Sequence, residues 1–368
     1  MATPRVTVLI DTYNHERFIE EAIASVLGQD FPPSDMEILV VDDGSTDRTP
    51  EIVRKFEPRV RLIRKTNGGQ GSAFNAGIAE TRGQLVAFLD GDDWWVPSKL
   101  RRVVETIAGD ADVGIVGHGI IIVHRDGREQ SEILREGFRF CANTAEGARL
   151  FRLRRSFLGT SRMTIRADLL RRIGPVPEAI VVQADEYLFT LAAALVGAQV
   201  LPDALTYYRY HDANGFQLAR CDSQRIKRKQ QAIASLASRL SAELRRHEIP
   251  DEARTPIIEI LQAESDQLRL GLDGGTPLET LRTEWTLYDV HYPEAPVLHR
   301  IFKRMSLLPA LILPPQIYYG MRDRLVQSEI YRDARARWLP NPDRPHVTDE
   351  WRSKSEKSQT AVEDRPLH

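Results

Sequence analysis

Three carboxylates fall within four positions of "FLDGDDWWVP" (88–97): Asp90, Asp92 and Asp93, set between an apolar run and two tryptophans. A second acidic pair, Asp42 and Asp43, closes "MEILVVDD", and Asp11 closes "RVTVLID". Like charges crowded at the ends of buried segments must be hydrated, paired or neutralised. A divalent cation bound by hard oxygen ligands is the usual remedy. A single Asp at such a place commonly just caps the next helix or opens a turn. "DGDD" after so apolar a run goes beyond what capping needs.

The segments that position these acids alternate in period. "RVTVLID" (5–11) is β-branched and strand-like, "ERFIEEAIASVLGQ" (16–29) has helical spacing, and "MEILVVDD" (36–43) is strand-like again. "TPEIVRKF", "VRLIRK", "GSAFNAGIAET" and "QLVAFLD" continue as helix, strand, helix, strand, with Pro50 in a first turn. This order predicts an α/β fold with a mainly parallel sheet flanked by helices. Ligands of such sheets bind at the carboxyl ends of the strands, where Asp11, Thr12, Tyr13, Asn14, Asp42, Asp43, Asp90, Asp92 and Asp93 all fall.

Composition sets the surroundings. The formal net charge of −2 offers no global field to attract nucleic acid. Two cysteines, Cys141 and Cys221, are too few and too far apart for a disulfide framework or a Cys-based metal site, which fits a reducing compartment. The N-terminus lacks the apolar core of a secretory signal, and no stretch has the ~18 uninterrupted apolar residues that a spanning helix requires. The expected location is cytoplasmic.

The segments "VTVLIDTYNHERFIEEAIASVLGQ", "EILVVDDGSTDRTPEIV" and "NGGQGSAFNAGIAETRGQLVAFLDGDDWWVPSKL" together resemble family 2 glycosyltransferases, over about residues 5–105. The resemblance implies a GT-A fold, Rossmann-like, with a nucleotide-binding half (1–105) and an acceptor half (106–215). It implies transfer of a sugar from a UDP-, GDP- or dTDP-linked donor to an acceptor hydroxyl, commonly with inversion, as in cell-surface polysaccharide or glycolipid synthesis. The acceptor would be a glycan or a lipid-linked sugar. Donor contacts carried over are Thr12, Tyr13, Asn14, Asp42, Asn67, Gly69, Asn75, Asp90 and Gly91. Asp90 and Asp92 match the "DxD" that binds Mg²⁺ or Mn²⁺, with His211 of "YRYH" a further metal or phosphate contact. Asp43 and Asp93 are assigned structural or capping roles, and Trp94 and Trp95 either wall the sugar pocket or pack beneath the sheet.

In the acceptor half, "VGIVGHGIIIVHRDG" reads as strand-like pieces with a hairpin at Asp126-Gly127. The family's acidic pair falls on Asp185-Glu186, Asp185 being the implied base and Glu186 the alternative. Two positions depart from the family's pattern. Asp11 stands where proline is common, and Phe74 stands where arginine often faces phosphate, leaving Lys65, Arg64 or Arg82 to substitute. A rival function keeps the fold as a catalytically inactive nucleotide-sugar-binding or assembly module.

Residues 216–340 read as a helical extension, a lid or an oligomer contact, and 341–368 as a polar, disordered tail. "RARW" at 335–338 is only faintly like a motif of processive relatives and is set aside. Within the extension, 299–325 joins basic residues and tyrosines to an apolar block broken by Pro309, Pro314 and Pro315. Proline forbids one straight spanning helix there. The segment is expected either to lie in a bilayer interface, making the protein peripheral on the inner face of the cell membrane, or to pack on the catalytic domain.

Overall fold

A computed structural model describes residues 3–181, 183–211, 223–291 and 297–327. Cys221, the 335–338 stretch and the 341–368 tail lie outside the described residues. In the first half, strand and helix alternate as β1 (Val6–Thr12), α1 (Ile19–Leu27), β2 (Met36–Asp42), α2 (Thr49–Arg54), β3 (Arg61–Arg64), α3 (Gln70–Glu80) and β4 (Leu85–Asp90). Strands β3, β2, β1 and β4 lie side by side in that order, all parallel. Successive residues of β1 point to opposite faces, and both faces are covered. Val8 and Ile10 join one apolar cluster with Ile19 and Ile23 of α1, while Leu9 joins a second with Phe74 of α3. Double-sided burial is why these strands read as continuous apolar runs.

The second half contributes β5 (Trp94–Trp95), α4 (Lys99–Ala108), β6 (Ile115–Val123), β7 (Glu129–Glu132), β8 (Phe138–Phe140), α5 (Ala145–Arg154), β9 (Thr164–Arg166), α6 (Ala167–Ile173), α7 (Ala184–Leu195) and β10 (Ala198–Arg209). Strand β9 runs antiparallel between β4 and β6, and β10 runs parallel to β6. The single sheet is therefore parallel in its first half, β1–β4, as expected, and mixed in its second. "IVGHGIIIV" (115–123) forms one continuous strand, and the second strand of the hairpin, β7, follows the Asp126-Gly127 turn.

Beyond it come α8 (Ser223–Arg246), α9 (Asp251–Asp273), α10 (Pro277–His291), α11 (Val297–Ser306), α12 (Leu308–Ile312) and α13 (Pro315–Gln327). Ile233, Leu236, Leu240 and Leu244 recur at helical spacing along α8 and, with Ile257 and Leu261 of α9, belong to the same buried cluster as Leu9 and Phe74. Each such side chain stabilises by about 1.5–3 kcal/mol when fully buried. The change of composition near residue 215 thus marks no break in the core. Among the described residues no helix is long and apolar enough to cross a membrane.

Candidate active site

Strand register builds the rim. Asp11 of β1 sits beside Asp90 of β4, and Thr12 beside Asp42 of β2. The chain turns sharply after β4 at Gly91, where a Cβ would come within 2.7 Å of Thr12 Oγ1 and 2.8 Å of His15 Nδ1. Above the rim opens a cleft of about 850 Å³, lined by Asp11, Thr12, Tyr13, His15, Asp43, Asn67, Gly69, Asp90, Asp92, Asp93, Asp185 and Glu186 among others. That volume lies in the range of small-molecule sites.

The start of α7 brings Asp185 to this cleft. Its Oδ2 accepts hydrogen bonds from Thr160 N and Thr160 Oγ1, both at 3.2 Å. Gln70, at the start of α3, holds the two halves in register. Its Nε2 donates to Thr160 Oγ1 at 3.2 Å and approaches Asp90 Oδ1 at 3.5 Å, while its Oε1 accepts from Ala184 N. Glu186, the alternative base, is buried in an ion pair with Arg155, which also pairs with Glu264 of α9. His211 Nε2 lies 3.0 Å from Asp92 Oδ2, and His15 Nε2 approaches the same oxygen at 3.8 Å.

Several side chains stand elsewhere than the sequence placed them. Asp42 is fully covered, accepting from Ser45 N at 2.9 Å and Arg64 Nε at 3.1 Å, and is not in the cleft wall. Its neighbour Asp43 lines the cleft instead, accepting from Lys65 Nζ at 2.6 Å, Gly68 N at 3.0 Å and Gly69 N at 2.7 Å. Strand β2 ends at Asp42, and Asp43, the first residue beyond it, turns its side chain to the other side. Asn14 accepts from Thr46 N at 2.8 Å, pinning the turn after β2 to the end of β1. Asn75 exchanges two hydrogen bonds with the Val176 backbone, tying α3 to the chain before α7, and does not reach the cleft.

Asp93 caps no helix. It accepts from Ser161 Oγ at 2.6 Å and Arg209 N at 3.0 Å, fastening the sheet's far half. Trp94 stacks on Tyr207 with ring centroids 5.0 Å apart, and buried Trp95 donates to Ser161 O, so neither walls the cleft. Of the substitute cations, Arg64 pairs with Asp42, Arg82 with Glu37, and Lys65 with Asp43. The arginines that line the cleft are Arg155 and Arg162, from a basic stretch whose spacing carries no signal. Gly69 adopts φ +81°, and a Cβ there would meet Val181 O at 2.5 Å, so the 67–69 loop closes on the chain ahead of α7 only with glycine.

The family model described as Glycosyl transferase family 2 matches residues 7–173. An uncharacterized glycosyltransferase of Nostoc sp. is 34% identical over 247 residues, covering 62% of this chain and 71% of the relative. The chain belongs to glycosyltransferase family 2. Among solved structures this glycosyltransferase is similar to S. aureus TarS 1–349 in complex with UDP-GlcNAc, at TM-score 0.51 and 20% identity over 86% of this chain and 92% of that one. It is also similar to a mannosyltransferase of Pyrobaculum calidifontis in complex with GDP-Man and Mn²⁺, at TM-score 0.51 and 21% identity over 91% and 84% of the two chains. These likenesses confirm the GT-A fold.

The enzyme's cleft is electrostatically uneven. Burial, then the neighbouring charges of Asp11, Asp92 and Asp93, raises the Asp90 pKa well above the usual carboxylate range. Burial and Asp92 do the same to Asp11, and burial raises Asp185 against the Thr160 hydrogen bonds. Asp93 is pushed up to about 8 by burial and Asp92. Asp92 alone of these five is lowered. Burial opposes ionisation there, and the His211 hydrogen bond and the charges of His15 and His211 outweigh it.

Asp11 Oδ1 is shielded from solvent and has no hydrogen-bond partner, so an oxygen at the rim is left without a donor. That deficit, with hard oxygen donors on Asp90 and Asp92, fits a divalent cation. Among the described residues no three His, Cys, Asp or Glu side chains form a ready-made metal cage, so the protein's share of ligands is an open set.

Acids raised in the fold keep protons that the unfolded chain has already lost. Stability from this cluster is therefore complete below the unfolded carboxylate value of about 4 and falls as pH rises through the elevated folded values. Asp11→Asn is accordingly expected to raise the melting temperature of the ligand-free enzyme more at pH 8 than at pH 5. Equal shifts at the two pH values would show that Asp11 is not proton-coupled to the fold.

Proposed function

We propose that this glycosyltransferase moves a sugar from a nucleoside-diphosphate sugar to an acceptor hydroxyl with inversion, Asp185 acting as base. The observation that carries the reading is the sharing of one cleft by Asp185 and the Asp90–Asp92 rim, linked through Gln70 and Thr160. A sugar nucleotide already has a good leaving group, so the protein's task is alignment, charge and one proton transfer. The acceptor oxygen attacks the anomeric carbon, the bond to the diphosphate oxygen breaks, and the hydroxyl proton passes to a carboxylate oxygen of Asp185. One displacement on one face inverts the anomeric centre.

Thr160 orients Asp185 through Oδ2, which leaves Asp185 fixed rather than swinging. Glu186 is committed to Arg155 and so is the weaker candidate for base. Asp90 and Asp92 would hold Mg²⁺ or Mn²⁺, which when bound supplies Lewis-acid neutralisation of the departing diphosphate. His211 acts through Asp92, keeping that carboxylate ionised. Thr12 and the half-exposed ring of Tyr13 stand where the nucleoside would enter, beside the Asn67–Gly69 loop. The nucleotide-sugars bound by the TarS and Pyrobaculum structures support the donor class.

The test is thermal stabilisation by UDP-, GDP- and dTDP-sugars with and without Mn²⁺. A donor at a hundredfold excess over its Kd stabilises by about 2.7 kcal/mol. One nucleotide class should raise the melting temperature, and more so with Mn²⁺. If no sugar nucleotide does, the donor assignment fails.

A further inference from the structure

The described residues expose thirteen large apolar side chains, and nine of them lie within 297–325, on helices α11, α12 and α13. So strong a concentration marks a surface that water does not normally face. On α11, Ile301 and Met305 lie one turn apart; Leu308 and Ile312 follow on α12, then Ile317 and Met321 on α13, Ile312 being 84% exposed. The opposite side of the same helices is already committed. Leu307, Ala310, Tyr318 and Tyr319 pack with Leu270 of α9, and Lys303 and Arg322 both reach buried Glu284 of α10. The outer stripe is thus held outward by an anchored inner face.

Charge and shape select the occupant. Residues 297–325 contain five Arg or Lys and one Asp, and Arg300, Arg304 and Arg324 are exposed beside the stripe. A second copy would bring the same positive surface and repel. Residues 328–368 carry eight basic and eight acidic residues, no surplus to offset it. Three short helices broken at Pro309 and Pro314 cannot span a bilayer, yet helices with an apolar side and flanking arginines suit its interface, where anionic headgroups meet the cations.

We propose that α11–α13 seat this enzyme on an anionic lipid surface, apolar stripe inward and arginines at the headgroups. The inference does not depend on the donor or the chemistry of the cleft.

Co-sedimentation of the full chain with vesicles tests it. Vesicles of equimolar phosphatidylcholine and phosphatidylglycerol should pellet the protein, phosphatidylcholine alone much less, and added salt should weaken binding to the anionic vesicles. The triple variant Ile301→Glu, Ile312→Glu, Met321→Glu should bind at least tenfold more weakly, and Ile312→Glu alone should act in the same direction with the melting temperature unchanged. Leu278→Glu, at a 75% exposed apolar position on α10, should bind as the unaltered chain does. Protein left in the supernatant with both vesicle types, equal binding to both, or full binding by the triple variant overturns the proposal. So does a dimer in sedimentation velocity that the triple variant dissolves while vesicles capture neither form, since a second copy would then be the occupant.

Discussion

Asp185→Asn is expected to lower turnover by about 10²–10⁴-fold while fold and donor affinity persist. The amide oxygen can still accept from Thr160, so the loop and α7 stay in place, but it cannot take the acceptor's proton. Because burial raises the Asp185 pKa, the acid limb of the unaltered enzyme's pH–rate profile should lie above the ordinary carboxylate range. Activity is lost as pH falls through that elevated value, and the variant should lack the limb. Glu186→Gln separates the two acids. It should spare most turnover and cost about 1–3 kcal/mol of stability, since Arg155 keeps only Glu264. Turnover that survives Asp185→Asn but collapses in Glu186→Gln would move the base to Glu186.

Asp92→Asn should lower turnover by about 10²–10³-fold and remove the Mn²⁺-dependent part of donor affinity. Among the five acids Asp11, Asp90, Asp92, Asp93 and Asp185, Asp92 is the one whose ionised form the fold favours, through His211 and His15. Asp90 is pressed upward by burial and by four neighbouring acids, Asp11, Asp92, Asp93 and Asp185, so positive charge nearby would favour its ionised form. Losing the Asp92 charge therefore removes the field that a cation would enter. Calorimetric titration of donor with and without Mn²⁺ reads this directly. An Asp92→Asn protein with the Mn²⁺ increment intact would place the cation elsewhere.

Much of this was legible in the chain. Alternating periods announced the parallel sheet of the first half, because strands buried on both faces are apolar throughout and their crossovers carry a helical stripe. The clustering of acids at "DGDD" was readable too, although Asp93 of that cluster serves the fold through Ser161 and Arg209. The second half of the sheet resisted. Strand β9 is three residues long and antiparallel, and its pairing with β4 and β6 is set by contacts across the fold rather than by local pattern.

What the sequence determined by itself was which strand ends carry acid, because the order of residues along a strand is covalent. Which of those acids meets the cleft was decided in three dimensions. Asp42 and Asp43 are adjacent in sequence, yet one is sealed by Arg64 and Ser45 while the other shapes the glycine loop. The charge state of the cluster was decided there as well. Asp11, Asp90 and Asp185 come together from separate elements, and the shift of each arises from burial and from neighbours that only the folded chain supplies. Coulomb interaction falls with distance in space, and separation along the chain does not report that distance.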